Sequence, residues 1–175
     1  LFPWERSLGS YDGDLLVGAA AAFRLRLAVP GGAVRPMAGV TWVAVRPSHR
    51  RRGLTRAHMQ RQLHDLYEAG DEAVAGLWAS EPGIYGRFGY GLASQSLGVT
   101  VERPARLIDL PTDATLQLRL VPATEAPDTI APLYEEVATS PAARPGMLAR
   151  DEKLWWRRAT ADYQRDRADA TVLMC

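Results

Sequence analysis

Hydrophobic and polar positions alternate strictly in the stretch Phe23-Arg24-Leu25-Arg26-Leu27. Phe23, Leu25 and Leu27 share one face and the two arginines the other, which predicts a half-buried antiparallel strand within Asp14 to Gly32. Asp12-Gly13 is a hairpin signal ahead of it, and Pro30-Gly31-Gly32 ends it. "MAGVTWVAVRP", Met37 to Pro47, is rich in β-branched and aromatic residues and predicts a second strand, stopped by Pro47. From Leu54 to Ala69 the period changes. Leu54, Ala57, Met59, Leu63 and Leu66 recur at a mostly helical spacing, and Gly70 supplies a C-terminal stop. "EAVAGLWAS", Glu72 to Ser80, is apolar almost throughout, which predicts a third strand, central and buried on both faces.

The pattern then breaks. "EPGIYGRFGYG" puts four glycines and a proline into eleven residues, and "LASQSLGVTVER", Leu92 to Arg103, is strand-like again. Pro104 to Ala114, with two prolines, has the composition of a linker. Beyond it, Leu116-Gln117-Leu118-Arg119-Leu120 alternates, a polar turn follows, and a helical stretch covers Ile130 to Ala138. "ARDEKLWWRRATADYQRDR" predicts an amphipathic helix with Leu154 and Trp155 toward a core, and the closing "ATVLMC" has strand character. These elements divide the chain into a first domain over 1–103, a linker over 104–114 and the beginning of a second domain over 115–175. The opening Leu1-Phe2-Pro3-Trp4 has no initiator Met, and the chain is expected to be incomplete at both ends.

Composition narrows the function classes. Of 175 residues 47% are hydrophobic and 23% charged, as in an ordinary globular protein, and the formal net charge of +1 excludes a strongly basic nucleic-acid binder at the scale of the whole chain. A local basic patch remains open. The single cysteine, Cys175, allows no intrachain disulfide, which suits a reducing compartment. No window approaches the roughly 18 apolar residues of a membrane span, and no secretory leader is visible, so a cytoplasmic setting is expected. His49, His58 and His64 have no metal-ligand spacing with a carboxylate or cysteine, so no metal is expected and all three are assigned to the surface or a helix face. Trp42 alternates away from Val43 and Val45 toward an acceptor cavity or a core, with the core favoured.

One stretch carries chemistry: "VRPSHRRRGLTRAHMQ", Val45 to Gln60. A strand, a tight glycine-containing loop and a helix start together make an anion site, because the first helical amides have no internal partner and the macrodipole puts partial positive charge there. Arg50, Arg51 and Arg52 add full charges, and Gly53 lets an anion approach the backbone without a Cβ in the way. There is no G-x-x-x-x-G-K-[ST] nucleotide loop and no G-x-G-x-x-G fingerprint. Taken alone, an arginine run is as often a solvated loop.

The spacing V-x-P-x-x-R-x-x-G-x-[small], at Val45, Pro47, Arg50, Gly53 and Thr55, closely resembles the acetyl-CoA pyrophosphate loop of the GNAT N-acetyltransferases. A second stretch, "WASEPGIYGRFGYG", Trp78 to Gly91, resembles the Eis-type branch of that superfamily, as does Ala28 to Arg56 nearly residue for residue. The likeness is strong from Asp12 to Arg103 and weaker but colinear beyond. It implies the GNAT fold, an α/β (α+β) mixed, mostly antiparallel twisted sheet with flanking helices, followed by the start of a second GNAT-like domain.

It also implies roles. The pantetheine arm of acetyl-CoA would run along Val43, Ala44 and Val45 like an added strand, and its pyrophosphate would rest on Arg51, Arg52, Gly53, Leu54, Thr55 and Arg56. Ser80 and Glu81 map to a further cofactor contact, and Tyr85 to the general acid that returns a proton to the departing thiolate. Tyr90 and Phe88 are assigned to packing. The implied acceptor is a primary amine, an aminoglycoside or a protein lysine. It would be deprotonated by the C-terminal carboxylate of a longer family chain, and the implied assembly is a homo-oligomer, a hexamer by resemblance. Two departures stand out: Thr55 occupies a position where many GNAT proteins carry Gly or Ala, and Pro82 replaces a family glycine. Without the base, the same cradle would serve a non-catalytic CoA-binding or regulatory module.

Overall fold

The computed structural model describes residues 3–95, 100, 119–122, 125–140, 144–149 and 171–174. Its residues fall into two compact units, 1–92 with 136–150 and 93–135 with 151–175. The expected linker and the Leu154/Trp155 helix lie outside the described residues.

The first unit is built on a sheet. Strand β1 (Ser7–Asp12), β2 (Leu15–Val29) and β3 (Ala33–Val45) form an antiparallel meander. The turns fall where the sequence places them, at Gly13 and at Gly31-Gly32, all with positive φ. Helix α1 (Leu54–Ala69) follows, then β4 (Val74–Leu77), which pairs parallel with β3 from Met37↔Val74 to Val40↔Leu77. A helix between two parallel neighbours is the expected crossover. A two-residue strand near position 148 adds to β2 through Arg26↔Ala149 and Leu27↔Leu148.

The core lies under α1. Ala20, Ala21 and Ala22 are fully or almost fully buried, with Val17, Met37, Ala38 and Val40. Four consecutive alanines leave room for the helix to pack close on β2 and β3, and Met59 fills that space with no exposed surface. The buried face of α1 is therefore His58, Met59 and Gln62, while Ala57 is exposed. This corrects the surface placement of His58. Its ring lies where a Cβ on Gly18 would come within 2.9 Å of Cε1, so the absence of a side chain at position 18 makes the space the histidine occupies. The helix ends at Gly70 in the left-handed conformation, with its N–H donating to the Leu66 carbonyl at 3.2 Å.

Strand β4 departs from expectation. Among the described residues it is paired on one side only, Val74 is 41% exposed and Trp78 is 89% exposed. An apolar run marks burial without specifying which neighbour provides it. Before β4, the Arg6 guanidinium holds Glu72 bidentately, at 2.9 and 2.5 Å, with the carboxylate side chain 4% exposed.

In the second unit, β5 (Arg119–Pro122) pairs antiparallel with a strand at Thr171–Met174, from Arg119↔Met174 to Pro122↔Thr171. Helix α2 (Ala126–Thr139), whose residues up to Glu135 belong to this unit, covers the expected helical stretch and begins earlier, with Pro132 inside it.

Candidate functional site

The site candidates gather at one end of the sheet. Because β3 and β4 are parallel, the segment leaving Val45 and the segment leaving Leu77 depart from the same, carboxyl end. In open sheets that end is where parallel strands present ligands. The pairing stops at Val40↔Leu77, while β3 continues five residues to Val45, held on its other side by Ala19↔Ala44 and Gly18↔Val45. Val43, Ala44 and Val45 thus lie on a stretch of β3 that β4 does not cover.

A bulge marks the point where the two strands part. Ala21 pairs with Thr41 and Ala19 with Ala44, so Trp42 and Val43 oppose Ala20 alone. Trp42 takes the extra turn, with φ of 55°, and its side chain is 62% exposed. That corrects its assignment to the core. A bulky residue in the left-handed region carries strain of about 1–3 kcal/mol, which the flanking register sustains.

Past Val45 the chain is anchored before it turns. The Arg46 N–H donates to the Val17 carbonyl at 2.8 Å and its Nε–H to the Leu16 carbonyl at 2.9 Å. A short 3-10 turn covers Pro47–His49. Then Arg51 and Gly53 both adopt positive φ, 62° and 82°, and wind the backbone directly into α1. Gly53 is the N-cap, no side chain caps the helix, and its first turn contains no acidic residue. No atom lies within 4 Å of a Cβ built at Gly53, so the approach to the first amides is open. Arg50, Arg51, Arg52 and Arg56 are all exposed around it. This donor set, of helical amides with surrounding guanidinium groups and no carboxylate in the first turn, fits a pyrophosphate.

The second segment winds through two successive 3-10 turns, Pro82–Ile84 and Gly86–Phe88, with Tyr85 between them. Pro82 opens the first, where its fixed φ costs nothing. Ser80 and Glu81 are exposed in the loop that follows β4. Tyr85 is half-buried, its N–H donates to the Pro82 carbonyl at 3.2 Å, and its ring meets Tyr90 edge-to-face at 6.0 Å. Burial, and then the Glu81 carboxylate, push the Tyr85 phenol above its ordinary value of 10.0. Burial, and then Tyr85, push Tyr90 up to about 12. Both phenols are protonated at physiological pH. Among the described residues, no group of three or more His, Cys, Asp or Glu side chains could hold a metal, and no helix is long and apolar enough to cross a membrane.

A contact that no local spacing announces joins the hairpin to the loop. His49 Nε2 lies 3.0 Å from Asp12 Oδ2, and its Nδ1 lies 2.9 Å from Ser48 Oγ. The partners are 37 residues apart, and only the β1–β2 turn brings them together.

Comparison with known proteins agrees with this geometry. The family model described as an acetyltransferase (GNAT) domain matches residues 2–93. An uncharacterized N-acetyltransferase of Streptomyces avermitilis is 42% identical over 172 residues, covering 98% of this chain and 41% of its own length. The N-acetyltransferase Eis of Mycobacterium bovis is 43% identical over 153 residues, 84% of this chain and 37% of that protein. The crystal structure of Eis1 from Mycobacterium abscessus superimposes with a TM-score of 0.74 at 35% identity, covering 97% of this chain and 41% of that one. This chain therefore spans about two-fifths of the length of the relatives it matches. With the family model covering more than half of its residues, the chain belongs to the GNAT acetyltransferases, on their Eis-like branch.

Proposed function

We propose that this chain carries the acetyl-CoA half of an N-acetyltransferase site that moves an acetyl group to a primary amine of aminoglycoside or lysine type. The observation that carries the reading is the parting of β3 from β4 at Val40↔Leu77, with the Arg51–Gly53 turn and the uncapped start of α1 at the same end. Backbone groups of Val43, Ala44 and Val45 pair with the amides of the pantetheine arm in the manner of strand addition. Amides and side chains of Arg51, Arg52, Gly53, Leu54, Thr55 and Arg56 take the pyrophosphate. Ser80 and Glu81 complete the cofactor contact.

The acceptor nitrogen attacks the thioester carbonyl directly, so the C–N bond forms as the C–S bond breaks and no acyl-enzyme is needed. Tyr85 Oη–H donates its proton to the departing sulfur, which leaves as a neutral thiol. The phenol is protonated throughout the neutral range, as the step requires. The amine's proton goes to a base that the family resemblance places at the C terminus of a longer chain. Positioning and electrostatic stabilisation supply most of the acceleration. The strained bulge at Trp42 supports the same reading, because it redirects the β3 backbone where the thioester end of the arm would lie.

The test is turnover of the complete gene product with a panel of aminoglycosides and lysine peptides. Tyr85→Phe is expected to lower kcat about a hundredfold with the KM for acetyl-CoA nearly unchanged. An unchanged rate removes Tyr85 as the acid. Acetyl-CoA binding without turnover on any amine points instead to a CoA-binding module.

A further inference from the structure

We infer that Asp12 and His49 form a clasp that positions the pyrophosphate loop, so that the β1–β2 hairpin, which touches no part of acetyl-CoA in the proposed site, sets the affinity for it. This rests on the acetyl-CoA reading above. The hairpin is attached to the loop three times. Two go through Arg46, whose backbone N–H donates to the Val17 carbonyl at 2.8 Å and whose side-chain Nε–H donates to the Leu16 carbonyl at 2.9 Å. They hold the end of β3 but lie ahead of the turn that matters. The third is a side-chain contact into the loop beyond Pro47, between the end of β1 and the 3-10 turn. Asp12 Oδ2 accepts from His49 Nε2–H at 3.0 Å, and His49 Nδ1 in turn pairs with Ser48 Oγ at 2.9 Å.

The chemistry fits an orienting role. With Nε2 committed as donor to a carboxylate, Nδ1 pairs with the Ser48 hydroxyl, so one ring ties the Ser48 and His49 side chains of the 3-10 turn to the hairpin. His49 is well covered, with its side chain 11% exposed, while Asp12 is 67% exposed. The imidazole is therefore held by packing as well as by its partner, which a solvated surface pair lacks. The field of Arg52 also reaches Asp12, whose carboxyl is held below its ordinary value first by the His49 hydrogen bond and charge, and in small part by Arg52. Two residues further on, Arg51 adopts its left-handed backbone. A non-glycine residue stays in that region only where its surroundings fix it, and the clasp is the fixing element next to it. Asp12 and His49 are positioning residues: they act through Arg51, Arg52 and Gly53.

The experiment compares acetyl-CoA with acetyl-pantetheine, a donor that lacks the pyrophosphate, on the complete gene product. Asp12→Ala and His49→Ala are expected to raise the KM for acetyl-CoA three- to tenfold, about the net value of one ordinary hydrogen bond, with kcat at saturation within about twofold. Their effect on kcat/KM with acetyl-pantetheine is expected to stay within about twofold. The double variant should be no worse than either single one, and His49→Gln, which keeps an N–H donor, should recover most of the affinity. Equal losses with both donors overturn the clasp and show general destabilisation. Unchanged acetyl-CoA KM in both single variants also overturns it. If wild type neither binds nor uses acetyl-CoA, the functional reading has failed, a result distinct from either.

Discussion

At the scale of single residues the account depends on Gly53, Tyr85 and their surroundings. Gly53 sits at φ of 82° with open space on the Cβ side. Gly53→Ala is expected to cost about 1 kcal/mol of stability from the backbone alone, and to weaken acetyl-CoA by crowding the amides; thermal melts with and without the ligand separate the two. For Tyr85, the sign of its shift fixes the pH behaviour. Both burial and Glu81 raise the phenol, so the acid form persists to high pH and activity is lost only as pH rises beyond 10. Replacing Glu81 by Gln removes a negative neighbour and should move that alkaline limb downward in a kcat profile. A limb that stays in place would remove the electrostatic part of the account. The arginine–glycine turn into a helix start was legible because loop and helix-start chemistry is local, whereas Tyr85 was singled out only through the family resemblance. The Trp42 bulge and the Asp12–His49 contact were not, since each depends on which residue a strand or turn brings opposite, and no short window contains that.

At the scale of elements, α1 decides whether the cradle holds its shape. Met59→Ala is expected to destabilise the protein by about 2–4 kcal/mol, measured by denaturant unfolding, because Met59 is wholly buried against the alanines of β2. His58 adds a pH dependence. It hydrogen-bonds Ser10 through Nε2 at 2.7 Å, and its Nδ1 is buried without a partner. Burial lowers its pKa from 6.5. The unfolded chain takes up the proton more readily than the folded one, so stability is full above 6.5 and falls as pH drops through that value and below. His58→Gln should flatten this decline in unfolding free energy between pH 7 and 5; an equal decline would assign it elsewhere. Helix limits were legible from Leu54 and Gly70, because period and C-cap glycine are properties of the helix itself. Which face is buried was not. Periodicity picked out Met59, which is buried, together with Ala57, which is exposed, and the small residues Gly18 to Ala22 opposite the helix admit His58 and Gln62 beside Met59. The single-sided pairing of β4 and the Arg6–Glu72 pair escaped for the same long-range reason.

At the scale of the whole molecule, a net charge of +1 conceals four arginines concentrated around one helix start. The field at that start is strongly positive although the chain is nearly neutral. Acetyl-CoA affinity should therefore weaken severalfold as salt rises from about 0.05 to 0.5 M, a dependence an apolar pocket would lack. The chain spans about two-fifths of its relatives, so turnover and assembly are questions for the complete gene product. There the resemblance leads to a hexamer by sedimentation, and a monomer would contradict that expectation. The central claim is narrower: the turn at Arg51–Gly53 and the start of α1 receive the pyrophosphate of acetyl-CoA. The most direct measurement is calorimetric titration of acetyl-CoA into the complete gene product and into its Gly53→Glu variant. The account predicts one saturable site per chain in wild type and no binding in a Gly53→Glu variant that is still folded at the titration temperature. No binding in wild type, or undiminished binding in Gly53→Glu, would contradict it.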